Sequence, residues 1–394
     1  MIYPNYRRSI VNFASSIIQA FDGKPLYSTL PELNFLSQSQ NVIFLLIDGL
    51  GYDYLQKYGQ DSFLKKHCLT KITSVFPSTT ATATTALETG VPAQQHASTG
   101  WFVFLKELGV VSKILPFKAR FGGESFPNSR VSRDQIFTTQ RIGDQISAPS
   151  FVIYPDSIVD GQVNAKSDYL WSYRGLAGLF TQIKKAVETS DKRKLIYAYL
   201  PDLDALCHEE GTSSPVPLNF FKKLDKKIIG LTKSLSSKNF TFLATADHGQ
   251  ITTNPSKVIF IQKDYPELYD MLTLPLCGEP RVAYCYVHPD QAKAFVKYVK
   301  TKLKFCCQIY SSKELINRNF FGLFEPNPKL SQRVGDYVLI MKDNYIIKDF
   351  LINQEEKYDL GNHGGLSHQE MYVPLIVYSS GSGGKNSSPL SLSV

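Results

Sequence analysis

The sequence predicts an α/β fold: a mainly parallel sheet sandwiched by helices, with a smaller α/β lobe inserted before the last core strand. Three observations carry this. Val42–Ile47, Lys194–Leu200 and Asn239–Ala246 are short apolar runs, continuous rather than alternating, as strands buried on both faces are. Helix-patterned segments separate them, which is the rhythm of βαβ units. Acidic residues stand at or just past the end of each run, and open parallel sheets bind ligands beyond the carboxyl ends of their strands. With 394 residues, 43% of them hydrophobic, the chain is long enough for one large core plus an inserted lobe.

Taken in order, residues 9–21 follow Arg7 and Arg8 and have the outline of a signal peptide. Asn12, Ser15, Ser16 and Gln19 interrupt the apolar run at helical spacing, so an amphipathic helix is the better reading. A polar connector with Gly23, Pro25 and Pro31 completes residues 1–40. The first core strand ends abruptly at Asp48-Gly49, and Tyr52–Tyr58 starts the following helix. The stretch Leu69–Gly90 opens β-branched, breaks at Phe76-Pro77 and resumes as a small-residue segment able to start a helix. Six threonines fall between Thr79 and Thr89. This puts one hydroxyl at the positive end of a helix dipole, where a nucleophile for a phosphate would sit. Plain capping hydroxyls are the alternative.

Trp101–Leu105 and Phe151–Tyr154 read as strands, Tyr169–Thr189 as one amphipathic helix, and Val216–Leu235 as another helix. After residue 250 the pattern changes. Val282–Val287 and Tyr337–Met341 are strand-like and Pro289–Lys304 is helical. Tyr372–Tyr378 returns to the core sheet, and from Ser379 a Gly/Ser-rich tail reads as flexible. The expected division is an N-terminal helix and connector at 1–40, a catalytic core at 41–250 and 361–378, an inserted lobe at 251–360 and a tail at 379–394.

The net charge of +8 suits anionic substrates. The basic residues are scattered and form no dense arm, so no nucleic-acid polymer is expected as partner. No span of about 20 apolar residues is present, so no membrane-spanning helix is expected. Six cysteines without a CxxC pair read as free thiols of a reducing compartment. With no clear signal peptide, the expected location is the cytoplasm, export by another route staying open. The oligomeric state is not written in the sequence. LIDGLG lacks the third glycine of a dinucleotide fingerprint, which argues against nicotinamide binding.

Four acid or histidine clusters flank predicted core strands: Asp48 in LLIDG, Asp204 and His208 in PDLDALCHEEG, Asp247-His248 in TADHG, and His363 in GNHGG. Three Asp and three His are donors that zinc accepts, and two ions need about this many. Asp204 and His208 are four apart and share one face of a helical turn. Gly249 gives Asp247 and His248 the freedom to leave the strand in an irregular turn. Singly, each cluster has a plain reading: a helix cap, a surface pair, a turn. Their joint occurrence at strand ends is what those readings do not supply.

At this point the chain resembles the alkaline phosphatase superfamily, and within it the nucleotide pyrophosphatase/phosphodiesterase (type I phosphodiesterase) branch. The resemblance covers roughly residues 40–378. The family's order is an Asp after the first core strand, a Thr nucleophile, Asp-x-x-x-His, Asp-His-Gly and His-Gly, and all five occur here in that order. It implies an alkaline-phosphatase-like core. It also implies Thr80 as nucleophile, nine residues before Thr89 of Thr89-Gly90, with Ser78, Thr79 and Thr82 as lesser candidates. Asp48, Thr80, Asp247 and His248 would hold one divalent ion, and Asp204, His208 and His363 the other. Asp202 competes with Asp204, but only Asp204 keeps the spacing to His208. The ions implied are zinc, with manganese as the alternative.

Family members that cleave nucleotides carry an Asn that helps bind a phosphate oxygen. Counted from His96, that position is Trp101 here, which puts nucleotide specificity in question. Phe76, Trp101 and Phe102 can wall a leaving-group pocket or serve as core aromatics. The reaction expected is two-metal hydrolysis of phosphodiester or pyrophosphate bonds in a small phosphate ester, through a phosphothreonine. A phosphomonoesterase of the same superfamily and a non-catalytic metal-binding protein are the alternatives. A monoesterase typically wants a cationic side chain, and no Arg neighbours Thr80 in the sequence. A sulfatase would need a C/S-x-P-x-R signature and a phosphomutase a serine nucleophile.

Overall fold

A computed structural model of the chain describes residues 1–159, 168–352 and 354–380. Its core is a seven-stranded sheet in the order Cys68–Thr73, Tyr372–Ser379, Phe240–Thr245, Asn41–Ile47, Lys194–Leu200, Ser150–Pro155, Tyr169–Tyr173. The four pairings from Phe240–Thr245 to Tyr169–Tyr173 are parallel, and Tyr372–Ser379 runs antiparallel to both its neighbours. The three apolar runs are the three central strands, and every residue of them is buried. Helices Ile10–Ala20, Thr80–Thr89, Gly175–Glu188 and Pro215–Ser234 bury apolar side chains in the same core.

A second seven-stranded sheet is antiparallel throughout. Its order is Cys307–Ser311, Tyr337–Met341, Val282–Cys285, Cys277–Glu279, Phe102–Leu105, Val110–Lys113, Lys118–Ala119. The 251–360 segment supplies four of these strands and residues 102–119 the other three. The joint is the single pairing of Gly278 with Phe102.

Several local expectations change. Residues Tyr169–Tyr173 form an edge strand, and the helix begins only at Gly175. The aromatic residues of YLWSY pack on the sheet: Tyr169 stacks on Phe151 at 4.3 Å, and the Tyr173 hydroxyl donates to Tyr199 O at 2.9 Å. The N-terminal helix is buried almost all round, with Asn12, Ser15 and Ser16 inside. Asn12 Nδ2 donates to Tyr6 O (3.0 Å) and Ser28 O (2.8 Å), so a hydrogen bond and not solvent satisfies it. Ser379 closes the last core strand and the Ser380 hydroxyl donates to Lys238 O at 2.7 Å, so the flexible tail does not begin at 379. Residues 381–394 lie outside the described residues. All six cysteines are free thiols, five of them buried. Among the described residues no helix is long and apolar enough to cross a membrane.

Candidate metal centre

Strand register assembles the acidic donors. Asn41–Ile47 pairs in parallel with both Lys194–Leu200 and Phe240–Thr245, with Ile47 opposite Leu200 and Leu46 opposite Thr245. The residues that leave these three ends are Asp48, the helix Asp202–Glu210, and Asp247-His248. The sharp exit after Asp48 uses Gly49 at φ +73°, a left-handed conformation that disfavours a side chain. Gly249 has a different reason from the turn freedom expected of it. A Cβ there would lie 2.0 Å from Gln369 O and 2.7 Å from Gly51 Cα, so close backbone approach excludes any side chain.

His248 sits at the middle. Its Nδ1 faces Gly249 O at 3.2 Å; with the proton there, Nε2 keeps its lone pair. Three oxygens surround that nitrogen: Thr80 Oγ1 at 3.0 Å, Asp247 Oδ2 at 3.3 Å and Asp48 Oδ1 at 3.4 Å. Each carboxylate is anchored by its other oxygen. Asp247 Oδ1 accepts from Gly49 N (3.2 Å) and His248 N (3.0 Å), and Asp48 Oδ2 accepts from the Tyr199 hydroxyl. The inward oxygens, Asp48 Oδ1 and Asp247 Oδ2, are buried and have no hydrogen-bond partner. Burial, followed by the mutual repulsion of Asp48, Asp247 and Asp204, pushes the Asp48 carboxyl far above its ordinary range. Asp247 is also raised, chiefly by burial. Orphaned, crowded carboxylate oxygens around one imidazole nitrogen and a hydroxyl fit a divalent cation of the zinc class.

A second group adjoins it. His208 Nε2 lies 3.2 Å from Asp204 Oδ2 and 3.1 Å from His363 Nε2, and His363 Nε2 lies 3.9 Å from Asp204 Oδ1. His208 Nδ1 faces Gly361 O at 2.7 Å, which fixes its orientation. Burial alone would lower His208, but the Asp204 carboxylate outweighs it and holds the imidazole up at about 9. Asp204 is held well below the carboxylate range: His208, with His363 and His248, overcomes the cost of its burial. Burial, then the neighbouring His248, drives His363 far down. The rings of His248 and His363 stack at 3.8 Å, so the two groups are contiguous. His248, Asp204 and His363 present ligand atoms within 4.8 Å of one another, as do Asp48, Asp247 and His248.

All seven predicted donors therefore meet in one place. Asp202 lies near Tyr173 and outside both groups, so Asp204 is the helix's contribution. Among the hydroxyls, only Thr80 faces His248. Ser78 donates to Gly365 O at 2.8 Å, Thr79 to Glu279 Oε1 at 2.6 Å, and the buried Thr82 hydroxyl has no partner. Phe76 is fully buried among Phe320 and Phe321, so it is a core aromatic and not a substrate wall. Trp101 is partly exposed, and its backbone N–H donates to Glu279 Oε1 at 2.7 Å.

Two residues of one hairpin of the second sheet, Glu279 at a strand end and Arg281 in the turn, carry no signal in the sequence. Glu279 bonds Thr79 and Trp101, the neighbours just named. Arg281 forms a fully buried bidentate pair with Glu370, Nε to Oε1 at 3.0 Å and Nη2 to Oε2 at 2.9 Å. Glu370 Oε1 in turn accepts from Gly365 N at 2.8 Å, two residues beyond His363.

A family model described as type I phosphodiesterase/nucleotide pyrophosphatase matches residues 42–366. The chain belongs to this family. Its members are hydrolases of phosphoesters, and the metal-ready cluster of the chain agrees with the family's use of metal ions. No curated protein matches the sequence. Among solved structures, murine ectonucleotide pyrophosphatase/phosphodiesterase 5 superposes with a TM-score of 0.66 at 19% identity, covering 85% of this chain and 87% of that one. The same murine protein, solved as an inactive threonine-to-alanine variant in complex with AMP, gives 0.63 at 18%, over 85% and 87%. Phosphonoacetate hydrolase from Sinorhizobium meliloti, in complex with phosphonoformate, gives 0.64 at 16%, over 86% and 90%. These likenesses establish the alkaline-phosphatase-like fold of this family member.

Proposed function

We propose that this phosphodiesterase-family chain hydrolyses phosphodiester or pyrophosphate bonds of small substrates with two divalent ions, zinc or manganese, and with Thr80 as nucleophile. The observation that carries the reading is the convergence of Thr80 Oγ1, Asp48 Oδ1 and Asp247 Oδ2 on His248 Nε2 within 3.4 Å. Asp48, Thr80, Asp247 and His248 would hold one ion, and Asp204, His208 and His363 the other. When bound, such ions lower the pKa of an attached hydroxyl or water and offset charge on phosphate oxygens.

The residues do the rest. Thr80 opens the helix Thr80–Thr89; no side chain caps that helix, and the Thr79 hydroxyl donates to Glu279 instead. Thr82 N and Ala83 N already bond to Thr79 O, so it is the N–H groups of Thr80 and Ala81, with the helix dipole, that would meet the phosphate oxygens. Thr80 Oγ1 bonds to phosphorus as the leaving oxygen departs in line. The hydroxyl proton passes to solvent, and the leaving oxygen takes one up. Water then cleaves the phosphothreonine and restores the hydroxyl. Trp101 and Phe102 would border the leaving group. AMP in the murine neighbour supports a nucleotide-type substrate, and the Trp101 position argues for a looser one.

The test is Thr80→Ala with zinc or manganese present, assayed on aryl phosphodiesters, monoesters and dinucleotides. Hydrolysis should fall roughly 10³-fold or more while metal stays near two per chain, since losing a nucleophile removes the covalent route. Wild-type rates in Thr80→Ala would overturn the assignment.

A further inference from the structure

We propose that Glu279 makes this site select singly charged phosphodiesters over doubly charged phosphomonoesters. The inference rests on the phosphoester-hydrolase reading above. Glu279 ends the strand Cys277–Glu279 of the second sheet, and its carboxylate holds the residue that directly precedes Thr80. Its Oε1 accepts from the Thr79 hydroxyl at 2.6 Å and from Trp101 N at 2.7 Å. Thr79 directly precedes Thr80. Trp101 occupies the position where the resemblance places a phosphate-contacting Asn. On a third side, a Cβ on Gly364, next to His363, would lie 2.9 Å from Glu279 Cβ. The carboxylate also feels the charges of His208 and Asp204.

Glu279 thus stands between the nucleophile's neighbour, the His363 loop and the Trp101 backbone. It is buried, and among the described residues no Lys or Arg lies within ion-pair distance of it, although Lys348 feels its charge. A buried carboxylate without a cation is costly to keep, and burial lifts this one to about 7. Beside a phosphate such a charge acts by repulsion. A diester presents one negative charge and can turn its esterified oxygen toward Glu279. A monoester has a second charge and no neutral oxygen to spare. The negative wall therefore opposes the dianion more than the monoanion.

Glu279→Gln separates charge from structure, because the amide oxygen can still accept both hydrogen bonds. The probes are methyl phosphate and dimethyl phosphate, titrated calorimetrically into metal-loaded protein at pH 8.5, where the wild-type carboxyl is ionised. The variant should tighten methyl phosphate relative to dimethyl phosphate by about tenfold, the factor one pKa unit represents. The monoester-to-diester ratio of kcat/KM should rise in the same direction. Equal changes for both anions would reduce Glu279 to a support and overturn the proposal. Glu279→Met, uncharged and of similar length, gives the same comparison should the glutamine variant fold poorly. A wild type that binds both anions but hydrolyses neither ester defeats the hydrolase reading alone, and the binding ratio still judges Glu279. A wild type that binds neither anion defeats both.

Discussion

The two seven-stranded sheets serve the site in different ways. In the core sheet, parallel register does the placing: Asp48, Asp204 and Asp247 follow the carboxyl ends of three adjacent strands. The second sheet reaches the same place from the side, through Glu279 and Arg281 on one hairpin. These bond Thr79, Trp101 and Glu370, residues that neighbour donors without being donors. The candidate donors are set by topology, whereas the segments that present Thr80 and His363 are held by buried charge from another sheet.

Arg281→Met is the strongest way to break that comparison. Arg281 and Glu370 are 1% and 0% exposed, and removing one partner of such a pair leaves an uncompensated buried charge. The expected cost is about 3–5 kcal/mol by denaturant titration. The double variant Arg281→Met with Glu370→Met should recover much of it, because the stranded charge is gone. If the second sheet truly positions His363, both variants should also bind the second metal equivalent more weakly than the first. Loss of stability with both equivalents bound as in wild type would make the second sheet a scaffold only.

Why the donors were legible and the supports were not follows from the same contrast. Asp48, Asp247-His248 and Asp204-x-x-x-His208 advertise themselves because each lies at or just past the end of an apolar run, and run-ends of a parallel sheet converge. Glu279 and Arg281 sit in a short hairpin, GEPR, with no pattern of its own. Their partners lie 200 and 89 residues away. Nothing local marks such a pair. In the sequence Tyr169–Tyr173 reads as helix because its aromatics continue the apolar spacing of the helix after it, and pairing with Ser150–Pro155 and stacking on Phe151 give it its role as a strand. For Phe76 the sequence leaves a pocket wall and a core aromatic both open, and packing on Phe320 and Phe321 decides for the core.

Tyr199→Phe sharpens the comparison from the core side. Tyr199 belongs to the strand next to Asn41–Ile47, opposite Leu46, and its hydroxyl donates to Asp48 Oδ2. Losing this outer bond should weaken binding of one metal equivalent by about 10–100-fold, roughly 1.4–2.7 kcal/mol, with little change in folding. The measurement is metal titration against a competing chelator. Unchanged affinity would mean that register alone orients Asp48.

His96 tests the junction itself, where the segment after the helix Thr80–Thr89 crosses toward the second sheet. Its Nδ1 accepts from Ser98 N at 3.0 Å, and the ring is 1% exposed. Burial, followed by the nearby Arg333 charge, lowers the imidazole to about 3 from its ordinary 6.5. The sign follows from linkage. Above pH 6.5 the ring is neutral both folded and unfolded, and its contribution is complete. Below 6.5 the unfolded chain takes a proton that the folded chain refuses, so stability is lost as pH falls from 6.5 toward 3. Between pH 7.5 and 5.5 that loss is about 1.4 kcal/mol. The other histidines titrate in the same range, so the useful quantity is a difference. In metal-free protein, wild type should lose about 1.4 kcal/mol more than His96→Asn over that interval, although the variant is less stable throughout. Parallel pH profiles would show that the junction opens to solvent and that the two sheets are less tightly joined than the buried ring implies.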